Sequence, residues 1–123
     1  MESYNGDRLS FEIKDGILFC TFHNDFLDYY IVDEGIKKRV EFIKDRSFPM
    51  LSDLRKVKGI SKEARERLSD DDGLIGIPAL AIVYKTRFQL FVISVYELIY
   101  KPKIPTKYFR DMDKAHAWLQ QYK

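Results

Sequence analysis

The sequence predicts an α/β fold of order β-β-α-β-α-β-α-β-α, with a mixed, mostly parallel sheet and helices packed on it. Three observations carry this. Asp15-Gly16 sits between two apolar runs, the strongest short-range signal of a hairpin. Stripes of helical period alternate with strand-like runs from residue 29 onward. The run ALAIVY (79–84) is apolar without interruption, as a strand covered on both faces must be. A hairpin followed by alternating β and α elements gives parallel neighbours joined by helical crossovers.

In chain order, Leu9, Phe11 and Ile13 alternate with polar residues and read as a half-buried strand; ILFCTF (17–22) is its hairpin partner. Residues 23–28 form a loop in which Asp25 or Asp28 can cap the next helix. Val32, Ile36, Val40 and Ile43 give residues 29–45 an amphipathic helical stripe. SFPMLSDL (47–54) is a short strand, with Pro49 near its start where a missing N–H does least harm. Ser61 caps a helix reaching residue 68, with Glu63 in its first turn and Arg65 and Arg67 toward its end. Asp70-Asp71-Asp72-Gly73 ends that helix, and the buried strand follows. RFQLFVISVYELIY (87–100) reads as a third helix, KPKIP (101–105) breaks regular structure, and TKYF (106–109) suits an edge strand. Asp111 caps a last helix with Ala115, Trp118, Leu119 and Tyr122 on one stripe. The chain thus reads as one domain over residues 1–123, with about residues 1–8 as a flexible tail.

The 123 residues suffice for a core without disulfides or metals. A net charge of +2 argues against nucleic acid as partner. The charge is unevenly spread: Lys and Arg against Asp and Glu give −6 over 1–36, +6 over 37–67 and +2 over 68–123. The single Cys20 excludes an intrachain disulfide and fits a reducing compartment. MESYNGDRLSF has neither the basic nor the apolar region of a signal peptide, and the longest apolar run is too short to span a bilayer. A cytoplasmic protein with no integral membrane segment is expected.

Three stretches carry a family resemblance. PTKYFRDMDKAHAWLQQY has a Pro-led short strand reaching Phe, an acidic turn, then a helix with Ala shortly before Trp-Leu. MLSDLRKVKGISKEARERL has a strand ending in Asp and a Ser-initiated helix with an Ala-Arg pair, and GIPALAIVYKT is a strand leading into the third helix. In this order they resemble the STAS domain, and more closely the SpoIIAA-like STAS proteins of bacteria. The resemblance implies a partner-binding protein rather than an enzyme. Some members are switched by phosphorylation of a serine at the start of the second helix, within Asp-Ser-Ser-Gly. The corresponding words here are Ser61-Lys62-Glu63-Ala64, and Lys62 stands where that serine would be.

Chemistry-bearing motifs are sparse. His23 and His116 lie far apart, no CxxC or HxxxH occurs, and no metal or other cofactor is expected. No nucleophile elbow or phosphate-binding glycine loop occurs either, so the sequence reads as non-enzymatic. Arg55, Lys56, Lys58, Ser61 and Lys62 cluster where the third strand hands over to the second helix. In α/β sheets ligands bind at that carboxyl edge, so an anion or acidic partner could dock there.

Residues 87–100 raise a different question. Wound at about 100° per residue, Phe88, Val92, Val95 and Ile99 fall on one line flanked by Phe91 and Leu98, and this stripe is expected to pack on the sheet. Arg87, Ser94, Glu97 and Lys101 occupy an arc of about 80°. Leu90, Ile93, Tyr96 and Tyr100 then remain off both. Leaving four such side chains wet forgoes roughly 6–12 kcal/mol, at about 1.5–3 each, so a cover is expected. A helix of the same chain, a second copy in a homodimer, or a lipid-like ligand held between this helix and the sheet could supply it.

Overall fold

Residues 2–99 and 101–123 are described by the computed structural model. Strands β1 (Glu2–Asn5), β2 (Leu9–Lys14) and β3 (Ile17–Phe22) form an antiparallel meander. The β2–β3 turn is the expected Asp15-Gly16 pair. Both residues have positive φ, 53° and 74°, as a two-residue turn matching the strand twist requires. Asp28 caps α1 (Tyr29–Ile43), its carboxylate accepting from the Ile31 N–H at 2.9 Å. Strand β4 (Phe26–Leu27) precedes that helix and pairs in parallel with β6 (Gly59–Ile60), a two-residue ladder apart from the main sheet.

The main sheet continues in parallel through β5 (Met50–Asp53), β7 (Leu80–Val83) and β8 (Thr106–Phe109), in the order β1-β2-β3-β5-β7-β8. The crossovers carry α2 (Lys62–Leu68) and α3 (Arg87–Ile99), and α4 (Met112–Leu119) follows β8. This is the mixed, mostly parallel sheet expected from the alternation of elements.

Side-chain alternation along the strands builds a core on each face. Ile17, Leu51, Ala81 and Val83 pack with Ala115 and Leu119 of α4. Leu18, Cys20 and Met50 point the other way and join Leu9, Phe11 and Ile43 of α1. Ile31, Val32 and Ile36 of α1 meet Val57 and Ala64, which fixes α2 against α1. Gly76, with φ of 77°, closes the path into β7. A Cβ there would come within 2.7 Å of Ile43 Cδ1, so no larger residue fits without displacement.

The acidic run Asp70-Asp71-Asp72 is more than a helix end. Residues Asp71–Leu74 make one 3-10 turn held by two buried arginines. Arg67 grips Asp72 at 2.6 and 2.9 Å and Asp33 of α1 at 2.9 Å. Arg39 donates to the carbonyls of Gly73, Asp72 and Ile75. Arg67 holds the Asp72 and Asp33 carboxyls below their ordinary pKa, helped at Asp33 by Lys37.

Two expectations need correction. Residues 2–8 do not stand away as a tail, because Glu2–Asn5 extends the sheet as an edge strand. Glu2 is held by the Arg46 guanidinium through contacts of 2.5 and 2.9 Å, and Tyr4 lies against Phe11. The second correction is the rotation of α3. Phe88 and Phe91 are each 64% exposed and Val95 is 40% exposed, whereas Leu90, Val92 and Ile93 are half-buried. Of the stripe expected to pack on the sheet, Phe88, Phe91 and Val95 thus face water and Val92 does not. None of the described α3 residues belongs to the three core clusters.

Candidate functional site

The rotation of α3 follows from hydrogen bonds at its first turn. Thr86-Arg87-Phe88-Gln89 is a capping box: Thr86 Oγ1 accepts from the Gln89 N–H at 3.1 Å, and Gln89 Oε1 accepts from the Thr86 N–H at 2.9 Å. Gln89 Oε1 also accepts from the Lys85 N–H at 2.6 Å. Gln89 Nε2 donates to the carbonyls of Leu54, Arg55 and Val57 at 3.1, 3.1 and 2.7 Å. One side chain therefore caps the helix and moors it to the loop after β5. With Gln89 turned inward, Leu90 and Ile93 follow it and Phe88, Phe91 and Val95 are carried outward. Of the four residues read as the uncovered set, Leu90 and Ile93 are half-buried. Tyr100 and the Tyr96 side chain lie outside the described residues, as do the Leu98 and Ile99 side chains. The exposed apolar arc is Phe88, Phe91 and Val95.

The basic edge divides into two places. A cleft of about 420 Å³ opens at the carboxyl ends of β5, β7 and β8, lined by Asp53, Arg55, Lys56, Tyr84, Lys85 and Arg110. Arg55 folds back on Asp53, its Nε and Nη2 donating to the carboxylate at 2.9 and 2.8 Å and its backbone N–H at 3.1 Å. Burial pushes the Asp53 pKa up, but these Arg55 bonds outweigh it and hold the carboxyl below its ordinary value. The Arg110 guanidinium lies 5.6 Å over the Tyr84 ring. Lys58, Ser61 and Lys62 lie outside this cleft. The Lys58 backbone donates to Asp25, Ser61 Oγ caps α2 by accepting from the Ala64 N–H at 3.1 Å, and Lys62 stands 3.9 Å from Glu66. Ser61 belongs to a second cleft of about 390 Å³, with Asp28, Tyr29, Tyr30 and Glu63. Its Tyr29 and Tyr30 rings meet edge-on, and Tyr30 is 76% exposed.

Sequence reasoning found Arg55 and Lys56 but missed Tyr84, Lys85 and Arg110. Each missed residue directly follows a parallel strand or lies one position further on, so the strand order would have gathered them. The Thr86-x-x-Gln89 box was equally visible as a motif.

Elsewhere, Cys20 is buried between β2 and β5, and burial pushes its thiol pKa up to about 12, away from nucleophilic use. Among the described residues, no group of three or more His, Cys, Asp or Glu could hold a metal ion, and no helix is long and apolar enough to cross a membrane.

The arrangement of strands and helices can be set beside known proteins. A family model described as a domain of unknown function, DUF7793, matches residues 11–123. The chain belongs to the DUF7793 family. None of the curated proteins matches it. Among solved structures it is similar to an uncharacterized protein of the DUF3478 family from Shewanella loihica PV-4, described as having a SpoIIAA-like fold. The TM-score is 0.62 at 18% identity, over 97% of this chain and 99% of that one. The DUF7793 chain thus has the SpoIIAA-like α/β fold that its three local stretches resemble.

Proposed function

We propose that this DUF7793 protein is a non-enzymatic interaction module that forms a homodimer through the outer flank of α3. The supporting observation is the exposure of Phe88, Phe91 and Val95 on one arc of a helix moored by its opposite side. Burying what is exposed of these three side chains is worth about 4 kcal/mol per protomer, taking ~2–3 kcal/mol for a full side chain. A two-fold axis lets the same arc cover itself and doubles that figure. Association costs roughly 4–15 kcal/mol in lost freedom, so the pair is weak and concentration-dependent.

Light scattering across a concentration series tests this. The mass should rise from 14.6 kDa toward twice that value, and Phe88→Glu with Phe91→Glu should hold it at the monomer. A wild-type mass that stays at one chain throughout, or a double variant that still dimerises, refutes the interface.

A second reading rests on the inner flank. Leu90, Val92 and Ile93 are half-buried rather than buried, and none belongs to the core clusters. A lipid-like ligand between α3 and the sheet would cover them. Native mass spectrometry of freshly purified protein should then show a lipid-sized adduct, and its repeated absence sinks this reading.

A further inference from the structure

The cleft at the carboxyl edge of the sheet holds more positive charge than the fold uses. Four cations and one carboxylate line it, and the carboxylate is already taken by Arg55. Among the described residues, Lys56, Lys85 and Arg110 have no carboxylate within ion-pair distance. They come from three separate loops, those after β5, β7 and β8, and the parallel strand order alone brings them together. Three uncompensated cations at one concavity repel one another, and an anion entering there removes that repulsion.

We infer that this cleft binds a small hydroxylated phosphate monoester, of the sugar-phosphate class. A carboxylate offers a single negative charge in one plane. A phosphate monoester offers nearly two, on three acceptor oxygens pointing in different directions, which suits donors arriving from three loops. The volume is that of a small-molecule site, for which roughly 300–1,000 Å³ is usual, rather than a track for a polymer. Asp53 supplies the complement for the organic part. An ionised carboxylate has about four acceptor positions, and Arg55 occupies three, two on Oδ1 and one on Oδ2. The remaining position on Oδ2 can take a ligand hydroxyl. The Tyr84 ring, half-buried beneath the Arg110 guanidinium, closes one side. The Lys85, Thr86 and Gln89 amides play no part, because the Gln89 and Thr86 side chains already accept from them.

The test is titration with glucose 6-phosphate at fixed ionic strength, followed by amide chemical shifts and calorimetry. Inorganic phosphate, glucose, a phosphoserine peptide and phosphatidylglycerol vesicles form the parallel arms. Shifts should concentrate at residues 53–56, 84–86 and 110. Glucose 6-phosphate should bind more tightly than inorganic phosphate, and glucose not at all. Lys85→Gln and Arg110→Gln should each weaken binding about tenfold, the lower end for a charged hydrogen bond. Both side chains are exposed, so these variants keep the fold, and Lys62→Gln outside the cleft should change nothing. Binding should tighten as the pH rises through about 6, where the phosphate takes its second charge. Phe91→Ser should leave it intact, so this site and the α3 interface stand or fall separately. The inference is overturned if shifts spread over all surface lysines, if the two cleft variants bind as wild type, or if only the peptide or the vesicles bind.

Discussion

Replacing Gln89 with alanine removes the one side chain that both caps α3 and ties it to the body of the protein. Nε2 has two N–H groups facing three carbonyl oxygens, and Oε1 accepts from two backbone N–H groups, so four hydrogen bonds are lost at most. Each is worth about 0.5–1.5 kcal/mol net. Only the bonds to Leu54 and Val57 are partly buried, and water can replace the others. The lower part of the range applies, about 2–3 kcal/mol for the docking of α3. At about 1.4 kcal/mol per factor of ten, that is a 30–150-fold loss of amide-exchange protection. The loss should be confined to α3 amides such as those of residues 91–95, while β3 and β5 amides, which open only with global unfolding, should change far less. Gln89→Glu separates the two roles, since a carboxylate can still accept at the cap but cannot donate to the loop. It should lose the loop bonds, about 1–3 kcal/mol, and keep the cap. Unchanged protection in α3, or an equal loss throughout β5, would refute the mooring.

Two further outcomes test the buried groups. Arg67→Met strands Asp33 and Asp72, which can partly rehydrate at 20% and 39% exposure. Urea unfolding should therefore show a loss of about 2–3 kcal/mol, just under the range for breaking a fully buried pair. Arg67 holds both carboxyls below the ordinary value, so the native state binds fewer protons than the unfolded chain near pH 4. That part of the stability is complete above the unfolded value of about 3.9 and disappears as the pH falls through the lower folded values. The gap between wild type and Arg67→Met should accordingly narrow below about pH 4, and a constant gap down to about pH 2 would contradict the pairing. Cys20 should react with a disulfide reagent only as fast as the core opens, so immediate stoichiometric labelling would show that it is not buried.

What could be read from the sequence was what is decided locally. The Asp15-Gly16 turn, the caps at Ser61 and Asp111, and the one-sided stripes of α1 and α4 each depend on residues within a turn or two of one another. What could not be read depends on partners distant in sequence. Strand β1 is Glu-Ser-Tyr-Asn, with no strand signature of its own, and it is held by pairing to β2 and by Arg46, 44 positions away. Strands β4 and β6 are two residues each and are defined only by each other. In the cleft, Arg55 and Lys56 were legible because they follow a recognisable strand. Lys85 and Arg110 join them only once β7 and β8 are known to lie alongside.

The misjudged face of α3 has a more general cause. An amphipathic helix announces its buried side because rotating it would exchange apolar for polar surface. In α3 the apolar residues run nearly all the way round, so rotation exchanges Phe88, Phe91 and Val95 for Leu90, Val92 and Ile93 at little change in area. With the hydrophobic term nearly level, a directional term decides. Gln89 supplies it, because its bonds to the loop after β5 exist at one rotation only and are worth about 1–3 kcal/mol there. The polar residue in a greasy helix is therefore the one that chooses which apolar side is left for a partner.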